Sequence, residues 1–227
     1  MILLRILAAL ALLVPAAVQA QDSDGEIWVS GWATGKVSGK LLASVDVSLR
    51  ADDKGTRSPT LLLRPLIGVA VTKRLSLWGG YTYVATYPDA GPNATGVTAE
   101  HRAVGQILWN PPLPGRSALV ARTRIEARFV EGQAGTGYRL REMLRYTHPI
   151  SRGKTLIVLQ SEPFVALNDT AFGQAGGMDQ IRNFVGVNVP VGKGLSTDLG
   201  YMNRYIWRRT GNDRMDHIAA TMLIYRF

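Results

Sequence analysis

Arginines and carboxylates alternate with apolar residues at period two, in segments longer than most soluble strands. Between Ser117 and Val130, Leu119, Ala121, Thr123, Ile125, Ala127 and Phe129 fall on one face. Val120, Arg122, Arg124, Glu126 and Arg128 fall on the other, because successive side chains of a strand point to opposite sides of its sheet. The next segment repeats this, with Arg139, Arg141 and Arg145 opposite Tyr138, Leu140, Leu144 and Tyr146. A charge at mid-depth on the lipid side of a membrane strand costs about 2–4 kcal/mol. In a bilayer the arginines are therefore expected inside a closed barrel and the aliphatic residues outside it. Glu142 falls on the apolar side, which suggests a bulge or a slip of register there.

Alternating segments occur at 27–34, 41–51, 60–72, 75–87, 99–109, 117–130, 137–148, 155–168, 179–190, 195–206 and 216–227, separated by Gly, Pro, Asn and Asp clusters. Most are longer than the usual five or six residues of a soluble strand and suit a tilted membrane crossing of roughly 9–11 residues. Short connections at 72–74, 149–154 and 191–194 alternate with longer ones at 52–59, 88–98, 169–178 and 207–215. Outer-membrane barrels place their short turns and long loops at opposite ends in this way. Such single-chain bacterial barrels have an even number of strands. Ten or twelve strands are therefore expected, with one segment merged or split, unless the first strand sits unusually. No segment sustains a helical period, and no linker or repeat divides the chain. The expected fold is all-β: one antiparallel transmembrane β-barrel of about 10–12 strands.

The ends agree with export. Residues 1–20 carry Arg5, then an apolar run from Ile6 to Val18, then Val18-Gln19-Ala20. This is the pattern of a cleaved secretory signal peptide, which leaves 21–227 as the barrel domain. The last residues, Tyr225-Arg226-Phe227, resemble the C-terminal signal read by the barrel-assembly machinery, and rings there suit an interfacial girdle. There is no cysteine, so no disulfide forms and no lipidated cysteine anchors the chain. The net charge of +9 comes without a basic run or a recognition motif, which argues against nucleic acid. Lipids and lipopolysaccharide of a Gram-negative outer membrane are the expected surroundings.

Candidate chemistry is thin. Three histidines, His101, His148 and His217, fall near strand ends. His101 or His217 with Ser161 and Glu162 has the residue types of a nucleophile, base and orienter, but there is no Gly-x-Ser-x-Gly. Loop acids Asp52-Asp53 and Asp213 have no metal-loop spacing, and no metal or cofactor is expected. The aromatics Trp28, Trp32, Trp78, Tyr81, Tyr83, Tyr87, Trp109, Tyr138, Tyr146, Tyr201, Tyr205 and Trp207 cluster toward strand ends, as girdles do. Asn93-Ala94-Thr95 matches a glycosylation sequon that has little meaning in a bacterial exported protein.

Several segments in order resemble the bacterial domain-of-unknown-function 2490 family. They are Leu63-Arg64-Pro65, Gly80-Tyr81-Thr82-Tyr83, Glu100-His101-Arg102 with Gln106, and Arg122-x-Arg124-x-Glu126-x-Arg128-Phe129. Tyr138-Arg139-Leu140-Arg141, Glu162-Pro163-Phe164, Asp179-Gln180-x-Arg182 and Gly200-Tyr201 follow. The resemblance implies an outer-membrane barrel and no particular reaction. With the alternation, it gives an expected lumenal network of Arg64, Glu100, His101, Arg102, Gln106, Arg122, Arg124, Glu126, Arg128, Arg139, Arg141, Arg145, Glu162, Gln180 and Arg182. Asn183, like Glu142, falls on a face that should be apolar. The leading expectation is a non-enzymatic, porin-like membrane protein, either a structural barrel or a narrow anion-favouring channel. The alternatives are a lipid-modifying hydrolase of the outer membrane and a soluble, lipocalin-like binding barrel with a small-molecule ligand.

Overall fold

The computed structural model describes residues 22–52, 59–88, 96–150 and 153–227. The expected signal segment, Asp53 and the Asn93-Ala94-Thr95 sequon lie outside them. The strands are β1 (Asp22–Ser38), β2 (Leu41–Asp52), β3 (Thr60–Ala70), β4 (Leu75–Thr86), β5 (Thr98–Trp109), β6 (Ala118–Val130), β7 (Gly137–Pro149), β8 (Leu156–Ala166), β9 (Gly177–Gly192), β10 (Leu195–Ile206) and β11 (Arg214–Arg226). No helix occurs among the described residues. Each strand pairs with its neighbours in sequence, and β1 meets β11 to close a barrel.

The expected even count is therefore wrong. Eleven strands close the barrel, and no segment was merged or split. The first strand is the unusual one. Hairpin connections reverse direction at every step, so an odd number leaves the first and last strands pointing the same way. Their seam has to be parallel. It runs from Asp22 opposite Arg214 to Thr34 opposite Arg226, and every other seam is antiparallel.

Turns at one end are tight. Gly39 and Gly194, both at positive φ, turn β1 into β2 and β9 into β10. The opposite end carries the longer connections, β4 to β5 and β8 to β9 among them. The β5–β6 connection departs from the order. It holds Pro111, Pro112 and Pro114 and outlasts the β6–β7 connection, although it lies at the tight-turn end.

The faces alternate as the sequence indicates. In β3, Leu62, Arg64, Leu66 and Gly68 are buried, while Leu63, Pro65, Ile67 and Val69 are exposed. Ile67 is 66% exposed on the outer face, whereas Glu126 inside is 0% exposed. The β6–β7 register runs unbroken from Ala118 opposite Thr147 to Arg128 opposite Gly137. The bulge expected at Glu142 is therefore absent. Glu142 stands on the outer face and accepts a hydrogen bond from Thr123 Oγ1 at 2.9 Å. Asn183 is likewise outside. It accepts from Ser161 Oγ at 2.8 Å and donates to Asn203 Oδ1 at 3.1 Å. Side-chain hydrogen bonds satisfy both polar groups locally, so neither needs a change of register.

The parallel seam is testable in this cysteine-free chain. Val29 and Thr221 are register partners across it, and both point outward by alternation. Neighbouring strands lie about 4.8 Å apart, within the span of a disulfide. A Val29→Cys/Thr221→Cys protein should form an intramolecular disulfide on mild oxidation, seen as a gel-mobility shift reversed by reductant. Val29→Cys paired with Leu223→Cys, two residues out of register, should form far less.

Candidate functional site

Inside the barrel the charges converge on Glu126, at the centre of β6. Its Oε2 accepts from Arg139 Nη2 at 2.7 Å and Nε at 3.1 Å, and its Oε1 from Arg141 Nη1 at 2.7 Å. Arg102 Nη1 and Arg124 Nη1 lie 3.7 and 3.9 Å from the same carboxylate. The inward alternation of β5, β6 and β7 sets this geometry. Register places Glu126 opposite Arg139, and Arg124 opposite Arg141 and Gln106.

Further pairs surround this hub. Glu100 takes two bonds from Arg102, at 2.8 Å each, and two from Arg128, at 2.5 and 3.2 Å. Two-bond forks of this kind fix both distance and orientation. Glu162 Oε1 accepts from Arg122 at 2.5 Å and from Arg141 at 2.7 and 3.0 Å. Arg64 donates to Asp46 at 2.5 Å and to Thr82 at 3.0 Å. Arg124 forks onto Gln106 at 2.6 and 3.0 Å. Nearer the tight-turn end, Asp198 accepts from Arg145 at 3.0 Å and from Asn188 at 2.7 Å.

A separate cluster fastens the parallel seam. Arg204 of β10 donates to Asp216 of β11 at 2.7 Å and also bonds Glu26 of β1. Arg214 bonds Asp216 and reaches Glu26 at 3.1 Å. Three strands are thereby tied across the one place where strand direction does not alternate.

Fourteen of the fifteen residues expected in the lumen face it. His101 does not. It sits between the inward Glu100 and Arg102, so alternation turns it outward. Its Nε2 meets Glu131 Oε1 at 3.0 Å, and its Nδ1 meets the Tyr81 hydroxyl. His217 similarly meets Tyr201 at 2.6 Å. His148 meets Ser117 Oγ at 2.9 Å, with Tyr146 stacked beside it. All three histidines are outer-face residues near a barrel rim. The candidate triad is not assembled, because Ser161 points outward to Asn183 while Glu162 points into the lumen.

Sequence reading missed Asp46, Arg50, Asp198, Arg204, Arg214, Asp216, Asp24 and Glu26 as lumenal groups. Each is an inward position of its strand. Each stands alone or in a pair, without the run of charge that marks β6. Three tryptophans depart from the expected girdle. Trp28, Trp32 and Trp78 belong to the interior, where their indoles bond Glu26, Ser44 and Ser76. Trp28 and Phe164 serve as platforms for guanidiniums. Arg50 and Arg182 lie 4.1 and 4.9 Å from the Trp28 ring, and Arg141 and Arg182 lie 4.3 and 4.5 Å from Phe164. A cavity of about 60 Å³ remains beside Trp28, bordered by Phe184, Met202, Ala220 and Met222.

At the long-loop end, two acids are held by loop contacts. Asp169 accepts from the Gly176 amide and from Arg209, both at 2.7 Å. The amide first and the arginine second hold its carboxyl below the usual aspartate range. Asp213 accepts from Tyr205 at 2.5 Å and from the Arg208 amide at 2.9 Å, and its carboxyl is lowered for the same kind of reason. Among the described residues no group of acids and histidines is arranged to hold a metal ion.

The molecule is thus a closed β-barrel with an ionic interior and an apolar exterior. Residues 25–216 match the family described as Protein of unknown function (DUF2490), and the chain belongs to that family. An uncharacterized protein of Methylorubrum extorquens is similar to it, 31% identical over 226 residues that cover 98% of this chain and 97% of the relative. No solved structure matches the chain.

Removing the hub carboxylate leaves Arg139 with only Asp179 at 3.3 Å and Arg141 sharing Glu162 with Arg122, in a site closed to water. Breaking a buried pair from one side costs about 3–5 kcal/mol. Glu126→Ala should lose stability on that scale in urea unfolding, whereas Glu131→Ala on the exposed rim should change it by less than about 1 kcal/mol.

Proposed function

We propose that this protein is an integral outer-membrane β-barrel of a Gram-negative bacterium, exported with a cleaved signal peptide. In this reading its interior is a packed ionic core that closes the lumen to free ion flow. The observation that carries the proposal is the inverted distribution of polarity. Ile27, Leu49, Ile67, Leu77, Ile125, Val185 and Leu223 are 47–66% exposed on the outer face, while Arg64, Arg124, Glu126, Arg141 and Glu162 inside are 0–7% exposed. Water-soluble monomers seldom expose an apolar patch above roughly 300–600 Å². A continuous apolar wall around a barrel suits a hydrocarbon solvent.

The aromatics support two interfaces. Tyr87, Tyr138 and Tyr201 stand exposed on the long-loop half of the outer face. Trp109, Tyr225 and Phe227 stand exposed at the tight-turn end. This is the double girdle of membrane barrels. In this reading the long loops face lipopolysaccharide, and Tyr225 with Phe227 is the signal for the barrel-assembly machinery. A soluble, lipocalin-like barrel would invert the two faces, with apolar residues lining its lumen.

Packing of the mid-lumen favours a structural or ligand-holding barrel over an open channel. Thr82, Glu126 and Phe164 are each 0% exposed, which leaves little free cross-section at their height. The test is conductance of the folded protein in a planar bilayer, with insertion checked separately by protease protection. Inserted protein should be electrically silent. Reproducible current steps with anion preference, reduced in Arg124→Ala, would instead make the arginines a pore lining.

A further inference from the structure

The lumenal charge network is well paired, and two of its members stand apart. Arg50 donates Nε to Ser48 Oγ at a long 3.4 Å, and Arg182 forks onto the Gln180 amide oxygen at 3.1 and 3.2 Å. Neither is in an ion pair among the described residues. By contrast Arg64, Arg122, Arg139, Arg141 and Arg204 each have a carboxylate oxygen within 3 Å. Glu162 lies opposite Arg182 in register and attracts it from beyond ion-pair distance, while its Oε1 bonds Arg122 and Arg141.

The two unpaired guanidiniums are close neighbours. Both lie against the Trp28 indole, with guanidinium carbons 4.1 and 4.9 Å from its ring centre. The aromatic face offsets part of the repulsion but supplies no hydrogen-bond acceptor. Deeper in the lumen, Arg122 Nε and Arg124 Nη1 are buried donors without a hydrogen-bond partner. Like charge left without a close counter-charge in a low-dielectric interior is unfavourable, and native proteins resolve it with a counter-ion or water.

Access is also built in. Arg50 and Arg182 are half-buried rather than sealed. Arg50 lies at the end of β2 and Arg182 near the start of β9, both toward the long-loop end. We propose that the lumen binds one small oxyanion, a carboxylate or a phosphate, between Arg50 and Arg182 beside Trp28. The planar guanidinium fork matches both chemistries. The site concerns the interior alone and does not depend on what surrounds the barrel, so a failure here leaves the membrane reading standing.

The test is titration calorimetry on folded protein in detergent micelles, in a bulky sulfonate buffer at fixed ionic strength. Inorganic phosphate and acetate are the two probes. The expected result is saturable, single-site binding of at least one of them, and the stronger probe identifies the ligand as phosphate-like or carboxylate-like. Arg50→Gln and Arg182→Gln should each weaken binding by tenfold or more. Arg209→Gln on the outer loop should not. Thermal melting gives a second readout. The bound probe should raise the melting temperature of the unaltered protein and leave both lumenal variants unmoved. In the probe-free buffer those variants should melt no lower than the unaltered protein, because they remove like-charge repulsion. Absence of saturable binding by folded protein, or equal affinity in the lumenal variants, would overturn the proposal.

Discussion

Two arginines hydrogen-bond Glu126, two more lie within 4 Å of it, and the carboxylate has no contact with solvent. A charge in that position is tolerable only with its partners in place, and those partners come from β5, β6 and β7. The register of these strands is therefore fixed by electrostatics as well as by the hydrogen-bond ladder. A one-residue slip would turn Glu126, Arg139 and Arg141 outward together. The outer wall depends on the same constraint, because each inward charge dictates an outward neighbour that is aliphatic or aromatic.

The second constraint is parity. Eleven strands force one parallel seam, and that seam carries its own ionic fastening. Glu26 on β1, Asp216 and Arg214 on β11, and Arg204 on β10 form one cluster. A further accommodation is steric. Gly186 and Gly200 are register partners on the inner face of β9 and β10. A Cβ on Gly200 would fall 2.8 Å from the Phe184 ring and 2.3 Å from the Val185 carbonyl oxygen. Bare backbone there lets Phe184 lie across the strands and complete the wall of the cavity beside Trp28.

Much of this was legible in the chain. Eleven strand segments read by alternation match eleven strands to within a few residues at their ends, because a period of two is strong where one face is charged and the other aliphatic. The same alternation placed the arginines of β6 and β7 inside. Alternation alone does not carry every feature. The count was right, and the expectation of an even number was not. Family resemblance points His101 to the lumen, whereas its own position between Glu100 and Arg102 turns it outward. Isolated acids such as Asp46 and Asp198 carry no local signal, since Asp46 meets Arg64 only by the pairing of β2 with β3 and Asp198 of β10 meets Arg145 of β7 only inside the barrel. Trp28 read as a girdle residue because indoles favour interfaces, but its neighbours in space are guanidiniums that need an aromatic face.

The central claim is that the aliphatic wall faces hydrocarbon while the charges are enclosed. Ile67, 66% exposed on the outer face of β3 and three residues inside its end, is the place to test it. Ile67→Cys can carry a nitroxide in protein reconstituted into lipid vesicles, and its collision rates with oxygen and with a water-soluble nickel chelate can then be compared. The account predicts high accessibility to oxygen, which partitions into hydrocarbon, and near-complete protection from the nickel chelate. Free collision with the nickel chelate at this position would contradict it and place the wall in water.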